Sequence, residues 1–267
     1  MTEQVDLYNT AYGSYETEVY RQIRVETYGE DLGQTSWVTN EESNHIPQIL
    51  GLSRNASIFE VGSGSGRYAL QLAQKYGCRV IGVDVNKEGI HTANRLAEAA
   101  GMSETCRFEQ CDASKQLPYA DGSFEAVVSN DVLCHIRGRH QLLSELFRVL
   151  KPLGKLVFSD ALIIGGLVSH EEIATRSSIG YYSFSPPGLN EQLVEQAGFR
   201  LLSASDTTAN ASSIAKRWHD ARARREDALT KIEGRANFEG LQRFLSCVHA
   251  LTSERRLLRY LYAAQKP

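Results

Sequence analysis

The stretch Ser57-Ile58-Phe59-Glu60-Val61-Gly62-Ser63-Gly64-Ser65-Gly66-Arg67-Tyr68-Ala69-Leu70 decides the fold. Residues 57–61 form a short, mostly apolar run of strand length. Three glycines follow at alternate positions, and residues 67–76 then carry Leu70, Leu72 and Ala73 on a helical face. Strand, glycine turn and helix in that order make the first half of a βαβ unit. Glycine allows the tight turn and lets a ligand approach the backbone with no Cβ in the way.

The same alternation continues outward. Apolar strand-like runs cover 79–83, closed by Asp84, then 106–110, 124–129, 155–158, 199–204 and 257–263. Helical patterns fall between them at 87–100, 139–149 and 189–197. Lys151-Pro152-Leu153-Gly154 reads as a helix stop, because Pro and Gly end helices. The expected fold class is α/β: a Rossmann-like, doubly wound, seven-stranded and mostly parallel sheet. A helical lid is expected over 1–52, the core over 53–206 with a substrate insertion at about 162–188, and a cap of two helical stretches plus the final strand over 207–267. Ligands of such sheets bind at the carboxyl ends of the strands, near the point where strand order reverses.

Composition excludes several classes. The chain has 267 residues, 42% hydrophobic and 23% charged, with a net charge of −3. This is an ordinary globular profile without the basic excess of a general nucleic-acid binder. The basic run Lys216–Arg225 is followed closely by Glu226, Asp227 and Glu233, which fits a solvated helix face. The five cysteines show neither paired nor metal-ligand spacing, so no metal is expected and free thiols in a reducing compartment are. No apolar stretch approaches the roughly 20 residues of a membrane helix, and Met1–Val5 is polar. A cytoplasmic protein is expected.

Three acids stand just after three successive strands or within the first: Glu60, Asp84 and Asp112. A nicotinamide site would want G-x-G-x-x-G, but Arg67 stands where its last glycine belongs. Instead the pattern is E-x-G-x-G-x-G, and a carboxylate at the end of the second strand can accept both hydroxyls of a ribose. With Val83-Asp84-Val85, Cys111-Asp112-Ala113, residues 124–135 and Leu150–Gly154, the chain resembles the class I S-adenosylmethionine (SAM) dependent methyltransferases over about 55–160. The resemblance implies SAM as cofactor and S-adenosylhomocysteine (SAH) as product. It assigns Glu60 to the methionine end, Asp84 to the ribose and Asp112 to the adenine, with Val85 on one adenine face and Ala113 at its edge. Gly62, Ser63, Gly64, Gly66 and Asn130 complete the expected cofactor contacts, with Gln34 and Ser36 from the lid.

The acceptor side rests on Ser129–His135. The resemblance turns this strand end toward the transferred methyl group, and small-molecule members such as phosphoethanolamine N-methyltransferases carry an Asp and a His here. His135 is the candidate general base, since an unperturbed pKa of about 6.5 suits proton removal near neutrality. Asp131 would bind the acceptor or hold His135 in one tautomer. Tyr15, Tyr20 and Tyr28 are candidate lid tyrosines, the first two set on different sides of one helix. Arg176, Tyr181 and Tyr182 are candidate acceptor contacts within the insertion. The expected activity is methyl transfer to an O, N or C atom of a small molecule. Aromatic residues in the cap favour a ring, a terpenoid or a quaternising amine. A non-catalytic SAM- or partner-binding protein on the same fold is the alternative, with an RNA methyltransferase behind it. Neither nucleic acid nor membrane is an expected partner, and the tyrosine-rich lid leaves a homodimer open.

Overall fold

A computed structural model of the chain describes residues 5–31, 33 and 35–267. It holds seven strands in one sheet: β1 Ser57–Val61, β2 Arg79–Asp84, β3 Cys106–Gln110, β4 Phe124–Ser129, β5 Leu150–Ile164, β6 Arg200–Asp206 and β7 Leu257–Gln265. Their order is β3-β2-β1-β4-β5-β7-β6. The pairs β1–β2, β1–β4, β2–β3 and β4–β5 are parallel. Strand β7 runs antiparallel to both neighbours. The order reverses between β1 and β4, so the crevice above these two strands is where a ligand belongs.

Period-two alternation sorts the strand side chains onto two faces. Ile58, Val80, Ala126, Val128 and Val157 pack against Ile46 and Leu50 of α3 (Asn40–Leu50), Leu72 and Ala73 of α4 (Arg67–Tyr76), and Ala93 of α5 (Lys87–Ala99). Phe59, Val61, Val127, Leu156 and Phe158 face Leu142, Leu143 and Leu146 of α6 (Arg139–Val149) and Val194 of α8 (Leu189–Gln196). A third core lies outside the sheet. Here Ile23 of α2 (Glu18–Tyr28) and Ala11 of α1 (Tyr8–Gly13) meet Ile214 and Trp218 of α9 (Thr208–Ala223) and Phe244 and Leu245 of α11 (Arg235–Ser253). The lid is therefore anchored on the cap, above the sheet's carboxyl edge.

Two expectations need correction. The helix does stop at Val149, but the strand expected at 155–158 is longer: β5 begins at Leu150 opposite Phe124 and runs on to Ile164. Residues 151–154 have no partner on β4, because the register jumps from Phe124–Leu150 to Ala126–Lys155; Pro152 and Gly154 sit in this irregularity, with Leu153 at φ +63°. The cap holds three helices rather than two, because α9 and α11 are separated by the short α10 (Glu226–Glu233). The insertion carries a helix of its own, α7 (His170–Arg176), started by a reciprocal Ser169–Glu172 cap.

Candidate active site

Above the β1/β4 crevice lies a cavity of about 620 Å³, walled by the glycine loop, the ends of β2 and β3, the loop after β4, and Gly33, Thr35, Ser36 and Val38 of the lid. One end is built almost wholly from the β1–β3 edge. Asp84 is fixed by two backbone donors, Gly64 N–H at 2.9 Å and Asn86 N–H at 2.8 Å. Glu60 is buried nearby, and its Oε2 has no hydrogen-bond partner. Burial, reinforced by the charge of Asp84, pushes the Glu60 carboxyl up to about 8. Ser63 Oγ and Asn130 Oδ1 are likewise buried without partners, and both residues are on the cavity wall. Buried polar atoms are normally satisfied, so three orphans around one cavity mark a polar ligand.

The loop glycines are required by space. Gly62 has φ +78°, and a Cβ there would sit 2.2 Å from Val132 Cγ2; at Gly64 it would sit 2.5 Å from the Tyr12 hydroxyl. At Gly66 a Cβ would strike Phe108 and Ala93, so this glycine lets α4 approach the sheet. Farther along the wall, Val85 is 64% exposed and offers an apolar platform beside the buried Ala113. Asp112 accepts bonds from Ser114 N–H and Oγ, which hold its carboxyl below the usual range. A buried acid, a strand-end carboxylate, an apolar shelf and a half-exposed acid line this wall beside orphaned buried polar atoms, and the residues present fit SAM. Bound there, SAM would supply an activated methyl group on a sulfonium that leaves as a neutral thioether.

The opposite end contains His135, closing the 3-10 turn Leu133–His135. Its Nδ1 lies 3.2 Å from the Tyr181 carbonyl and its Nε2 lies 3.1 Å from the Tyr8 hydroxyl. A carbonyl only accepts, so Nδ1 carries the proton and Nε2 presents a lone pair that accepts from Tyr8. Burial, and next the positive charge of Arg176, push the imidazole down to about 4, so it is neutral at physiological pH. The ring of Tyr182 packs against it, centroids 4.2 Å apart and tilted by 39°.

Asp131 does not touch His135. Its Oδ1 accepts from Ser159 Oγ (3.0 Å) and Arg259 Nε (2.8 Å), and its Oδ2 from Trp37 N–H (2.9 Å) and Arg259 Nη2 (3.2 Å). With both oxygens filled, the tautomer of His135 is set by Tyr181 instead. Asp131, at φ +58°, acts as the pin from which the histidine turn springs. Arg259 of β7 also binds Glu42 of α3 and Thr207, tying lid, cap and β4 loop together.

The lid tyrosines are sorted differently from expectation. Tyr8 and Tyr12, one helical turn apart on α1, face the cavity. Tyr15 lies between α1 and α2, under the Arg24 guanidinium at 3.9 Å, and so shares no helix with Tyr20. Tyr20 donates to Glu233 and Tyr28 to the Ser36 carbonyl, both in the lid–cap core. None of these three is on the cavity wall. Ser36 is on it, and Gln34 lies outside the described residues. Tyr181 also lines the cavity, whereas Tyr182 and Arg176 stand behind the His135 ring. Sequence reasoning missed Tyr8, Glu42 and Arg259. The spacing of four between Tyr8 and Tyr12 was the available signal for the first; nothing local announces the other two.

Residues 59–158 match the family model described as "Methyltransferase domain". Methyltransferase GfsG of Streptomyces halstedii is 32% identical over 172 residues, covering 62% of this chain and 60% of that protein's length. The 27-O-demethylrifamycin SV methyltransferase of Amycolatopsis mediterranei (strain S699) is 27% identical over 94% of this chain and 95% of its own. Phosphoethanolamine N-methyltransferase 2 of Haemonchus contortus, solved with phosphomonomethylethanolamine and SAH, superposes with a TM-score of 0.81 at 20% identity. That match covers 97% of this chain and 60% of that one. The glycine loop, the three acids, the sheet order and these matches agree: residues 59–158 match a methyltransferase domain, and the chain is similar in sequence and fold to the class I SAM-dependent methyltransferases.

Proposed function

We propose that the protein transfers the methyl group of SAM to an O, N or C atom of a small molecule, with His135 as general base. The observation that carries this reading is the position of the His135 Nε2 lone pair. It belongs to a neutral imidazole of fixed tautomer on the wall of the same cavity that holds Glu60, Asp84 and Asp112. Methyl transfer is an in-line displacement, so the chain has to align the acceptor atom and remove its proton. Glu60, Gly62, Ser63, Gly64, Asp84, Val85, Asp112, Ala113, Asn130 and Ser36 would hold the cofactor. The acceptor would enter beside Tyr181, displace the Tyr8 hydroxyl from Nε2 and give its proton to that nitrogen.

Other features support a small acceptor in a reducing compartment. In the basic run on α9, Lys216 pairs with Asp220, Arg222 with Glu233, and Arg224 and Arg225 with Glu26, which leaves little free charge for a phosphate backbone. All five cysteines are free thiols. Among the described residues no helix is long and apolar enough to cross a membrane.

The test is turnover with labelled SAM over a panel of small hydroxyl, amine and activated-carbon acceptors, repeated with His135→Ala. Transfer that survives the substitution unchanged would remove the base role; SAH binding without transfer to any acceptor would favour a non-catalytic protein.

A further inference from the structure

The proton that His135 keeps on Nδ1 is fixed by one acceptor, the Tyr181 carbonyl at 3.2 Å. That carbonyl lies in the irregular stretch between α7 and α8. Among the described residues it is the only backbone group of Tyr181 or Tyr182 in a hydrogen bond. Gly180, just before it, has φ +146°, and a Cβ there would meet open space. Neither a backbone ladder nor crowding therefore fixes the chain at this point. A histidine whose tautomer depends on this carbonyl needs it held in another way.

Two side chains hold it. Tyr182 is the inner one, its ring packed between His135 and the Arg176 guanidinium, whose carbon Cζ stands 4.4 Å from the Tyr182 centroid. Tyr181 is the outer one. It is 41% exposed, with the guanidinium carbon of Arg137 4.0 Å from its ring centroid. Arg137 is itself exposed, and among the described residues no hydrogen bond or ion pair draws it elsewhere. It follows His135 by two positions, so one short piece of chain grips Tyr181 twice, His135 by the carbonyl and Arg137 by the ring. Ser183 N–H, bonded to the Cys134 carbonyl at 2.8 Å, ties the same two segments together farther on.

We infer that Arg137 is a positioning residue for methyl transfer: its stack on Tyr181 holds the carbonyl that keeps the proton on Nδ1 and the lone pair on the Nε2 that faces the cavity. Its effect on rate rests on the reading of His135 as base, whereas the tautomer can be read without turnover. An exposed cation–π contact shifts an equilibrium by roughly two- to fivefold, so Arg137 tunes the base and does not create it. The charged groups facing the imidazole are Arg176 of α7, beyond Tyr182, and Asp131 of the β4 loop, with the Tyr8 hydroxyl of α1 on Nε2.

The experiment is nitrogen NMR of the imidazoles in SAH-saturated protein, followed from neutral to acid pH, for wild type, R137A, R137K, Y181A and the R137A/Y181A double variant. Wild type should show one tautomer of His135, with Nδ1 protonated. R137A should move the tautomer ratio roughly two- to fivefold toward protonated Nε2. It should also raise the titration midpoint of the ring by roughly half a pH unit, since a loosened imidazole is better solvated. R137K should recover only part of both, because an ammonium keeps the charge and stacks less well. The double variant should read the same as Y181A alone. A merely structural arginine would lower the unfolding temperature and leave the tautomer alone, and an unchanged tautomer in R137A overturns the inference. So does an R137A effect of equal size without the Tyr181 ring, which would be charge acting through space. With labelled SAM and the first acceptor of the panel that is methylated, kcat should fall roughly two- to fivefold and KM should stay; a rise in KM alone would make Arg137 an acceptor contact and overturn the positioning role. A tautomer shift in R137A beside full turnover in H135A would keep the grip on His135 and overturn the base reading.

Discussion

The cofactor end and the acceptor end of the cavity are built in different ways. The proposed cofactor end is made mostly of backbone turns and strand-end carboxylates from residues 60–113, joined by Ser36 and Asn130, and is held by the hydrogen bonds of the sheet itself. The acceptor end is assembled from side chains far apart in the chain: Tyr8 meets His135 across 127 positions, and Arg259 meets Asp131 across 128 and Glu42 across 217. The first can bind its ligand with little rearrangement. The second depends on buried charges and a lid, so a single substitution there can remove chemistry without touching cofactor binding.

Substitutions at the two ends should separate along that line. The largest effect is expected on chemistry. His135→Ala should slow single-turnover methyl transfer by roughly 10²–10⁴-fold, the usual contribution of a positioned base, while SAH affinity stays as in wild type. A parallel fall in SAH affinity would mean that the two ends are not independent.

Next comes the clamp. Arg259→Met leaves Asp131 and Glu42 buried without their cation and should cost about 3–5 kcal/mol of stability in urea unfolding. Because Asp131 pins both Trp37 and the histidine turn, the acceptor end should loosen first, seen as faster hydrogen exchange at residues 36–38 and 131–135. On the cofactor side, Asp84→Ala should weaken SAH binding by about 2 kcal/mol through lost charge-assisted hydrogen bonds, with a smaller effect on overall stability.

The mildest signature is in pH. The folded pKa of His135 is depressed to about 4 from an ordinary value of 6.5. The unfolded chain therefore binds more protons at this site between those values, and the histidine's contribution to stability falls as pH drops from 6.5 toward 4. The imidazole carbon signals of His135 should show no titration near 6.5 in NMR, and the rate should keep its neutral-pH plateau down to about 5. An acid limb near the ordinary histidine value would mean a more solvated histidine and an open acceptor end.

The same contrast governs what the sequence discloses. That Glu60, Gly62, Gly64, Asp84 and Asp112 share one cavity wall is legible because each is fixed by its position relative to a strand a few residues away. Within the fold, β5 shows where local signals are incomplete: Pro152 and Gly154 announce a break, yet the strand already begins at Leu150, and residues 151–154 are passed over between two paired positions, with a positive φ at Leu153. At the acceptor end His135 was legible from the strand it follows. Tyr8 was not separable from the other lid tyrosines, since which of them turns inward depends on where α1 ends and α2 begins. Arg259 and Glu42 were hidden altogether. Each is an ordinary charged residue in its own segment and gains meaning only through a partner on a distant one.

The most direct measurement is calorimetric titration of the purified protein with SAH, run beside NADPH and repeated with Asp84→Ala. Micromolar binding of SAH is expected, with none of NADPH, and the substitution should lower the affinity for SAH about thirtyfold. A cooperatively folded protein that ignores SAH, or binds it equally well without the Asp84 carboxylate, would contradict the assignment of this cavity to SAM.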